Sequence, residues 1–222
     1  MAGDEPARLL QSWDDNAAAW TAAVRSGAIE SRRLATDAAI LDAVLERQPC
    51  KVLDLGCGEG WLVRALAERG VAAVGVDGAA PLVDAASSAG GSFVKLSYAE
   101  LIAAPARCGE GFDLVVANFA LLEEEILPLL TALRRIMTAN GWLLIQTLHP
   151  LAAGPPYVDG WRTEDFRGFG EAEWAPMPWY FRTLGSWVGV LRDGGFALQA
   201  LREPVHPQDG RPLSLLLETR TI

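Results

Sequence analysis

Residues Val52-Leu53-Asp54-Leu55-Gly56-Cys57-Gly58-Glu59-Gly60 form an apolar, strand-like run that passes directly into a glycine-rich turn and then into a helical pattern. Glycines at 56 and 58 let the backbone approach a bound ligand where a side chain would collide, and a helix start offers unpaired N–H groups. A nucleotide-like ligand fits such a turn. About twenty residues further on, Val74-Gly75-Val76-Asp77 closes the next apolar run in a carboxylate, the position at which a strand–helix–strand unit meets ribose hydroxyls. Two ligand classes use this spacing. A dinucleotide fingerprint, G-x-G-x-x-G, requires a third glycine at position 61, where this chain has Trp61. An indole there obstructs helix–strand packing and the approach of a pyrophosphate, which disfavours a dinucleotide-dependent oxidoreductase.

Other residues with chemical potential fall late in the chain. There are only two histidines, His149 and His206, each following a strand-like run. An imidazole titrates near neutrality and can take a proton from a reacting group, so His149 is a candidate base, with Tyr180 as a second candidate. The alternative for His149 is a structural hydrogen bond that holds the His149-Pro150 turn. Residues 151–182 hold eight of the 18 aromatic side chains, together with prolines at 155, 156, 176 and 178. Such a length without a regular pattern predicts an irregular insert, and that much apolar surface either covers the core or walls a pocket. Tyr157, Trp161 and Trp179, with His206, are the candidate substrate contacts.

These groups must be positioned by a scaffold, and the pattern predicts one. Strand-like runs at Lys51–Leu55, Ala72–Asp77, Ser92–Lys95, Phe112–Asn118 and Gly141–Leu148 alternate with helical stretches such as 60–69 and 123–138. Alternation of this kind signals βαβ units with a parallel sheet covered on both faces. A helix over 183–192 and two strands, 196–203 and 213–221, follow the insert. The fold expected is α/β, a Rossmann-like doubly wound sheet of seven strands, mostly parallel with an antiparallel last strand and helices on both faces. In 222 residues this makes a single domain. Residues 1–45 form an N-terminal helical lid and 151–182 a substrate cap. Trp13 and Trp20, seven residues apart, share one helix face, which either packs on the sheet or covers a ligand.

The segment Asp54-Leu55-Gly56-Cys57-Gly58-Glu59-Gly60 resembles motif I, E/D-x-G-x-G-x-G, of the class I S-adenosylmethionine-dependent methyltransferases. The resemblance extends to Asp77, to Phe112–Asn118 as the fourth-strand motif and to Asn140–Ile145 as the turn into strand five, as in small bacterial methyltransferase-domain proteins. It implies methyl transfer from S-adenosylmethionine to a small-molecule acceptor, leaving S-adenosylhomocysteine. A cofactor-binding regulatory module without turnover is the alternative on the same fold. By resemblance Asp54, Gly56, Cys57 and Gly58 meet the methionine part, Asp77 and Gly78 the ribose side, and Asn118 with Phe119 flank the methionine through main-chain groups. Ser97 or Tyr98 takes the adenine contact, because the Gly-Asp-Ala that relatives often carry after strand three is here Leu96-Ser97-Tyr98-Ala99-Glu100. Trp20 in the lid helix, with Arg25 or Arg33 as the fork for the cofactor's carboxylate, completes the expected cofactor set.

Charge and composition limit the partners. A formal net charge of −9 with no basic run repels a phosphate backbone, so nucleic acid is not expected, although Arg25, Arg32 and Arg33 form a local basic group. No apolar run reaches the length of a membrane span, and the start MAGDEPARLL lacks the basic, apolar pattern of a signal peptide. Cys50, Cys57 and Cys108 are odd in number and contain no C-x-x-C, which argues against a disulfide framework and against bound metal. A soluble, cytoplasmic protein, monomer or homodimer, is expected.

Overall fold

The computed structural model describes residues 4–170 and 172–222. Met1 to Gly3 of the acidic N-terminal stretch, and Glu171 of the aromatic insert, lie outside the described residues. Seven strands form one sheet in the order β3-β2-β1-β4-β5-β9-β8. They are β1 (Lys51–Leu55), β2 (Ala72–Asp77), β3 (Ser92–Lys95), β4 (Phe112–Asn118), β5 (Met137–Leu148), β8 (Phe196–Arg202) and β9 (Ser214–Thr221). The first five are parallel, and β9 runs antiparallel between β5 and β8. This is the doubly wound sheet expected from the sequence.

Alternation along the central strands sorts their side chains into two cores. Leu53 and Leu55 of β1, Val115 and Ala117 of β4 and Leu143 and Ile145 of β5 face α6 (Leu127–Arg134) and α8 (Leu184–Asp193), where Leu129, Leu133, Trp187 and Leu191 are buried. Val52, Leu114, Val116 and Leu144 face the opposite side and pack on Ile40, Ala43 and Val44 of α2 (Asp37–Glu46) and Leu62 and Leu66 of α3 (Trp61–Ala67). Of the N-terminal helices, only α1 (Glu5–Ser26) and the π-helical turn Arg32–Thr36 therefore remain to border the sheet's carboxyl edge. The flank beyond β1 is completed by α4 (Ala80–Ser88), against which α1 packs, and α5 (Tyr98–Ala103).

Two elements depart from the expected pattern. The helix expected over 123–138 is the shorter α6, because Pro128 stands in its first turn. Extending the helix upstream would drive the proline ring into the carbonyl of Glu124, which instead accepts a hydrogen bond from Arg182. At the other end Met137 pairs with Phe112, so β5 starts four residues before Gly141 and bulges over 138–140. The insert, expected to be irregular, holds a short helix, α7 (Pro150–Ala153), and an antiparallel hairpin of β6 (Gly160–Glu164) and β7 (Met177–Phe181). Asn16 of α1, 1 % exposed, clamps this insert from below: its Nδ2 donates to Ala175 O at 2.9 Å and its Oδ1 accepts from Ala175 N at 2.8 Å.

Gly60 shows how tightly the turn after β1 is fitted. Its φ of +83° lies in the left-handed region, and a Cβ there would come within 2.5 Å of the Phe93 ring and 2.9 Å of Ala86 Cβ. Left-handed strain and overpacking together should cost Gly60→Ala about 2–4 kcal/mol in urea denaturation. A loss below about 1 kcal/mol would mean that β3 and α4 give way freely.

Candidate functional site

The two halves of the sheet diverge at β1 and β4, the switch point at which open α/β sheets bind ligands beyond the carboxyl ends of their strands. A cavity of about 620 Å³ opens there, within the range of about 300–1,000 Å³ typical of small-molecule sites. Its floor is the turn after β1. Val76 O accepts from both Gly56 N (2.8 Å) and Cys57 N (3.0 Å), which folds the chain back across β2. Gly56 has φ +70°, and a Cβ on it would lie 2.5 Å from Ala120 Cβ, so only glycine lets this turn lie against the loop after β4.

Asp77 fixes the same turn from β2. Its carboxylate accepts from Gly58 N and Ala79 N, each at 2.9 Å, and still has lone pairs for a ligand. Burial raises its pKa, against the pull of those backbone bonds. Asp54, 2 % exposed, lines the cavity beside it and makes no side-chain hydrogen bond among the described residues. Burial, then the neighbouring Asp77 charge, push its pKa up to about 7, with Arg32 acting in the opposite sense. The Cys57 thiol is also pushed up by burial and stays neutral.

Arg32 brings a cation to the strand-end part of the cavity. Its Nε is held by Asp37 Oδ1 at 2.9 Å, and its guanidinium lies 4.9 Å from the ring centre of Trp61 and 6.0 Å from that of Trp20. No hydrogen bond occupies its Nη groups among the described residues, and the side chain lines the cavity. The π-helical turn that carries Arg32 is moored to the sheet. Gln146 of β5 donates to Thr36 O (2.9 Å) and to Asn118 Oδ1 (2.7 Å), and its Oε1 accepts from Ser214 (3.1 Å).

Twelve of the residues singled out in the sequence line this cavity: Trp20, Asp54, Gly56, Cys57, Gly58, Asp77, Gly78, Ser97, Tyr98, Asn118, Phe119 and Trp179. Trp13 and Trp20 do share a helix face, 5.2 Å apart and edge to face, and both line it. Ser97 and Tyr98 have partners already, Ser97 in a capping box with Glu100 and Tyr98 through its hydroxyl to Ala120 O at 3.0 Å. Phe119 N donates to Gln146 O at 2.7 Å, so its main chain offers a ligand the carbonyl only.

The remaining candidates lie outside the lining. Arg25 is paired with Glu59 at 2.8 Å, and Arg33 donates to Gly27 O. The arginine that faces the cavity is the one between them in sequence, and a π-helical turn shifts side-chain faces in a way that a 3.6-residue count cannot anticipate. His149, 4 % exposed, accepts from Leu151 N on Nδ1, so its proton sits on Nε2 and points at Glu203 Oε1, 2.8 Å away. It caps α7, the structural role weighed above. His206 likewise caps a turn through Gln208 N.

Strand alternation decides the fate of the aromatics. In the β6–β7 hairpin Trp179 and Met177 face the cavity, whereas Tyr180 and its cross-strand partner Trp161 meet edge to face on the other face, 5.5 Å apart. Tyr157 is exposed, and its hydroxyl accepts from Leu184 N. Among the lining residues not assigned to the ligand from the sequence are Arg32, Trp61 and Glu123. Trp61, which argued against a dinucleotide, is the shelf beneath Arg32, and Glu123 looks in sequence like one acid of a solvated run.

Residues 52–141 match the sequence profile of the family described as "Methyltransferase domain". Over these residues, about two fifths of its length, the chain is similar to methyltransferase domains. Among curated relatives, a ubiquinone biosynthesis O-methyltransferase of Cereibacter sphaeroides is 34 % identical over 113 residues, covering 49 % of this chain and 45 % of the relative. One from Bartonella quintana is 29 % identical over 133 residues, covering 54 % and 53 %. The chain spans about half the length of the curated relatives it matches. Solved structures extend the likeness of fold to the whole chain. The magnesium protoporphyrin IX methyltransferase of Synechocystis superposes with a TM-score of 0.67 at 14 % identity, covering 100 % of this chain and 99 % of that one. The 1,6-didemethyltoxoflavin-N1-methyltransferase of Burkholderia thailandensis gives 0.61 at 21 %, covering 97 % and 86 %.

The Asp54 carboxyl binds its proton more tightly folded than unfolded. Its burial therefore costs no stability below the ordinary aspartate pKa and a growing amount as pH rises towards about 7, at most about 4 kcal/mol. Relative to the parent chain, Asp54→Asn should gain stability steadily from roughly pH 4 to pH 7 in urea titrations. Parallel stability curves for the two proteins would show that Asp54 is ionised in the ligand-free fold.

Proposed function

We infer that this chain transfers a methyl group from S-adenosylmethionine to a small-molecule acceptor. One observation carries the reading: two carboxylates with unused acceptor capacity, buried Asp54 and half-buried Asp77, stand at the ends of adjacent strands in one cavity with the free Nη groups of Arg32. An amino-acid headgroup joined to a ribose matches that set. Asp54 would take the α-ammonium, Arg32 the α-carboxylate and Asp77 the ribose hydroxyls, with Gly56 to Gly58 as the backbone floor. Ser97, Tyr98, Ala99 and Ile102, which also line the cavity, would border the adenine.

S-adenosylmethionine supplies a methyl already activated on a positively charged sulfur. The work left to the chain is to align the acceptor with that methyl and keep water out. The lid helix α1, through Trp13 and Trp20, and the cap, through Phe166, Phe169, Met177 and Trp179, line the cavity and suit that task. The O-methyl transfer in the names of the curated relatives supports an oxygen as the acceptor atom. Free Cys50, Cys57 and Cys108 suit the reducing cytoplasm, where we take the protein to act.

Calorimetry should give one site for S-adenosylhomocysteine and none for NADH. Asp77→Ala should weaken that site at least tenfold, since a hydrogen bond to a charged acceptor contributes about 1.5–3 kcal/mol. Arg32→Gln should weaken it as well, while Arg33→Gln should leave it unchanged. Binding of NADH in place of S-adenosylhomocysteine, or equal affinities in all four proteins, would overturn the reading.

A further inference from the structure

Beyond the strand ends the cavity continues into an aromatic half walled by Trp13, Phe166, Phe169 and Trp179 with Met177. The titratable side chains that line the cavity can be accounted for almost completely. Asp54, Asp77 and Arg32 belong to the strand-end cluster, and the Cys57 and Tyr98 protons are held firmly by burial. Glu164 accepts from Phe166 N at 2.7 Å, and Arg211 lies at the solvent side with Asp209. Glu123 is left over: it lines the cavity, and its carboxylate makes neither a hydrogen bond nor an ion pair among the described residues.

The backbone holds Glu123 in that position. Ala120 O accepts from Tyr98, Leu122 O accepts from Tyr180 N at 2.8 Å, and the carbonyls of Glu123 and Glu124 both accept from the buried Arg182. Ala120 is also the residue that abuts Gly56. The loop is thus pinned by four hydrogen bonds to its carbonyls, beginning at the floor of the strand-end cluster and ending where the aromatic half begins. Of its three glutamates, Glu123 is the one that lines the cavity.

We propose that Glu123 is the general base of the reaction and that the acceptor is a flat aromatic compound whose hydroxyl faces this carboxylate. The proposal rests on the methyl-transfer reading above. The acceptor oxygen attacks the methyl carbon, a C–O bond forms as the C–S bond breaks, and the bonding pair stays on sulfur as a neutral thioether. The hydroxyl proton passes to Glu123 and from there to water. Two charged or titratable groups act on this carboxylate, Arg182 from the end of β7 and the Tyr98 hydroxyl from α5. Burial raises the Glu123 pKa against the pull of Arg182, so the carboxylate is a stronger base than an exposed glutamate and is active only above a correspondingly higher pH. Stacking on Trp179 and Phe166 would supply the recognition of a planar ring.

The test uses the full chain with S-adenosylmethionine and two probes, 4-methylcatechol and 2-naphthol, following release of S-adenosylhomocysteine. Turnover is expected on at least one probe. Glu123→Gln should lower kcat about 10²–10⁴-fold with KM and S-adenosylhomocysteine affinity nearly unchanged, and should abolish the acid limb of the kcat/KM profile. Formate should restore part of the rate to Glu123→Ala. A Glu123→Gln enzyme with kcat within about threefold of the parent would remove Glu123 as the base. A chain that binds S-adenosylhomocysteine but neither binds nor methylates either probe would overturn the aromatic-hydroxyl acceptor. If S-adenosylhomocysteine itself does not bind, the methyl-transfer reading has failed and this proposal with it.

Discussion

The architecture of the site depends on one contact, the bond between the Asp77 carboxylate and the backbone N–H of Gly58. The parallel register sets Leu55 beside Val76, so the chain leaving β1 must turn next to the last residue of β2. A turn in that place has no strand partner for its N–H groups, and burying them unpaired would be costly. Val76 O takes two of the vectors from Gly56 and Cys57, and Asp77 takes the third. The requirement for a carboxylate at position 77 thus begins as a requirement of the backbone.

A second consequence is electrostatic. Once Asp77 is fixed beside β1, Asp54 shares its poorly hydrated surroundings, and two like charges in such a space oppose ionisation. The fold holds this unfavourable arrangement because the parallel strands and two hydrophobic cores overdetermine the backbone around it. Arg32 relieves part of the cost. That arginine reaches the cavity only because Gln146, itself buried, fastens Thr36 to the sheet and completes its bonds with Asn118 and Ser214. Polar groups deep in the sheet therefore set the position of a cation at its edge.

Not every buried charge serves the cavity. Glu218 of β9 is fully buried between Arg47, at the end of α2, and Arg202 of β8, which also grips Glu46. This network ties the antiparallel edge of the sheet to the helix layer and lies among residues that do not line the cavity. The cover over the cavity is joined differently. Trp13 meets Phe166 edge to face, Phe166 stacks on Trp174, and Asn16 bonds both the N–H and the carbonyl of Ala175, so α1 and the insert are tied together.

By itself the sequence determined the order and type of the sheet strands, the glycine turn and the acid that answers it, since these depend on short-range periodicity and on residues whose spacing is fixed by a βαβ unit. Tertiary structure alone decided which side chains from elsewhere in the chain face the cavity. Arg32 could not be told from Arg33 without the π-helical turn, and Trp179 could not be told from Tyr180 without a hairpin that its prolines concealed. His149 had the right residue type at the right sheet edge, yet its orientation depends on Glu203, 54 residues away. Glu123 sits in an acidic run that reads as surface, and only the carbonyl contacts from Tyr180 and Arg182 turn that loop toward the cavity. Local pattern fixes backbone form, whereas the facing of a side chain is set by distant partners that no window of sequence contains.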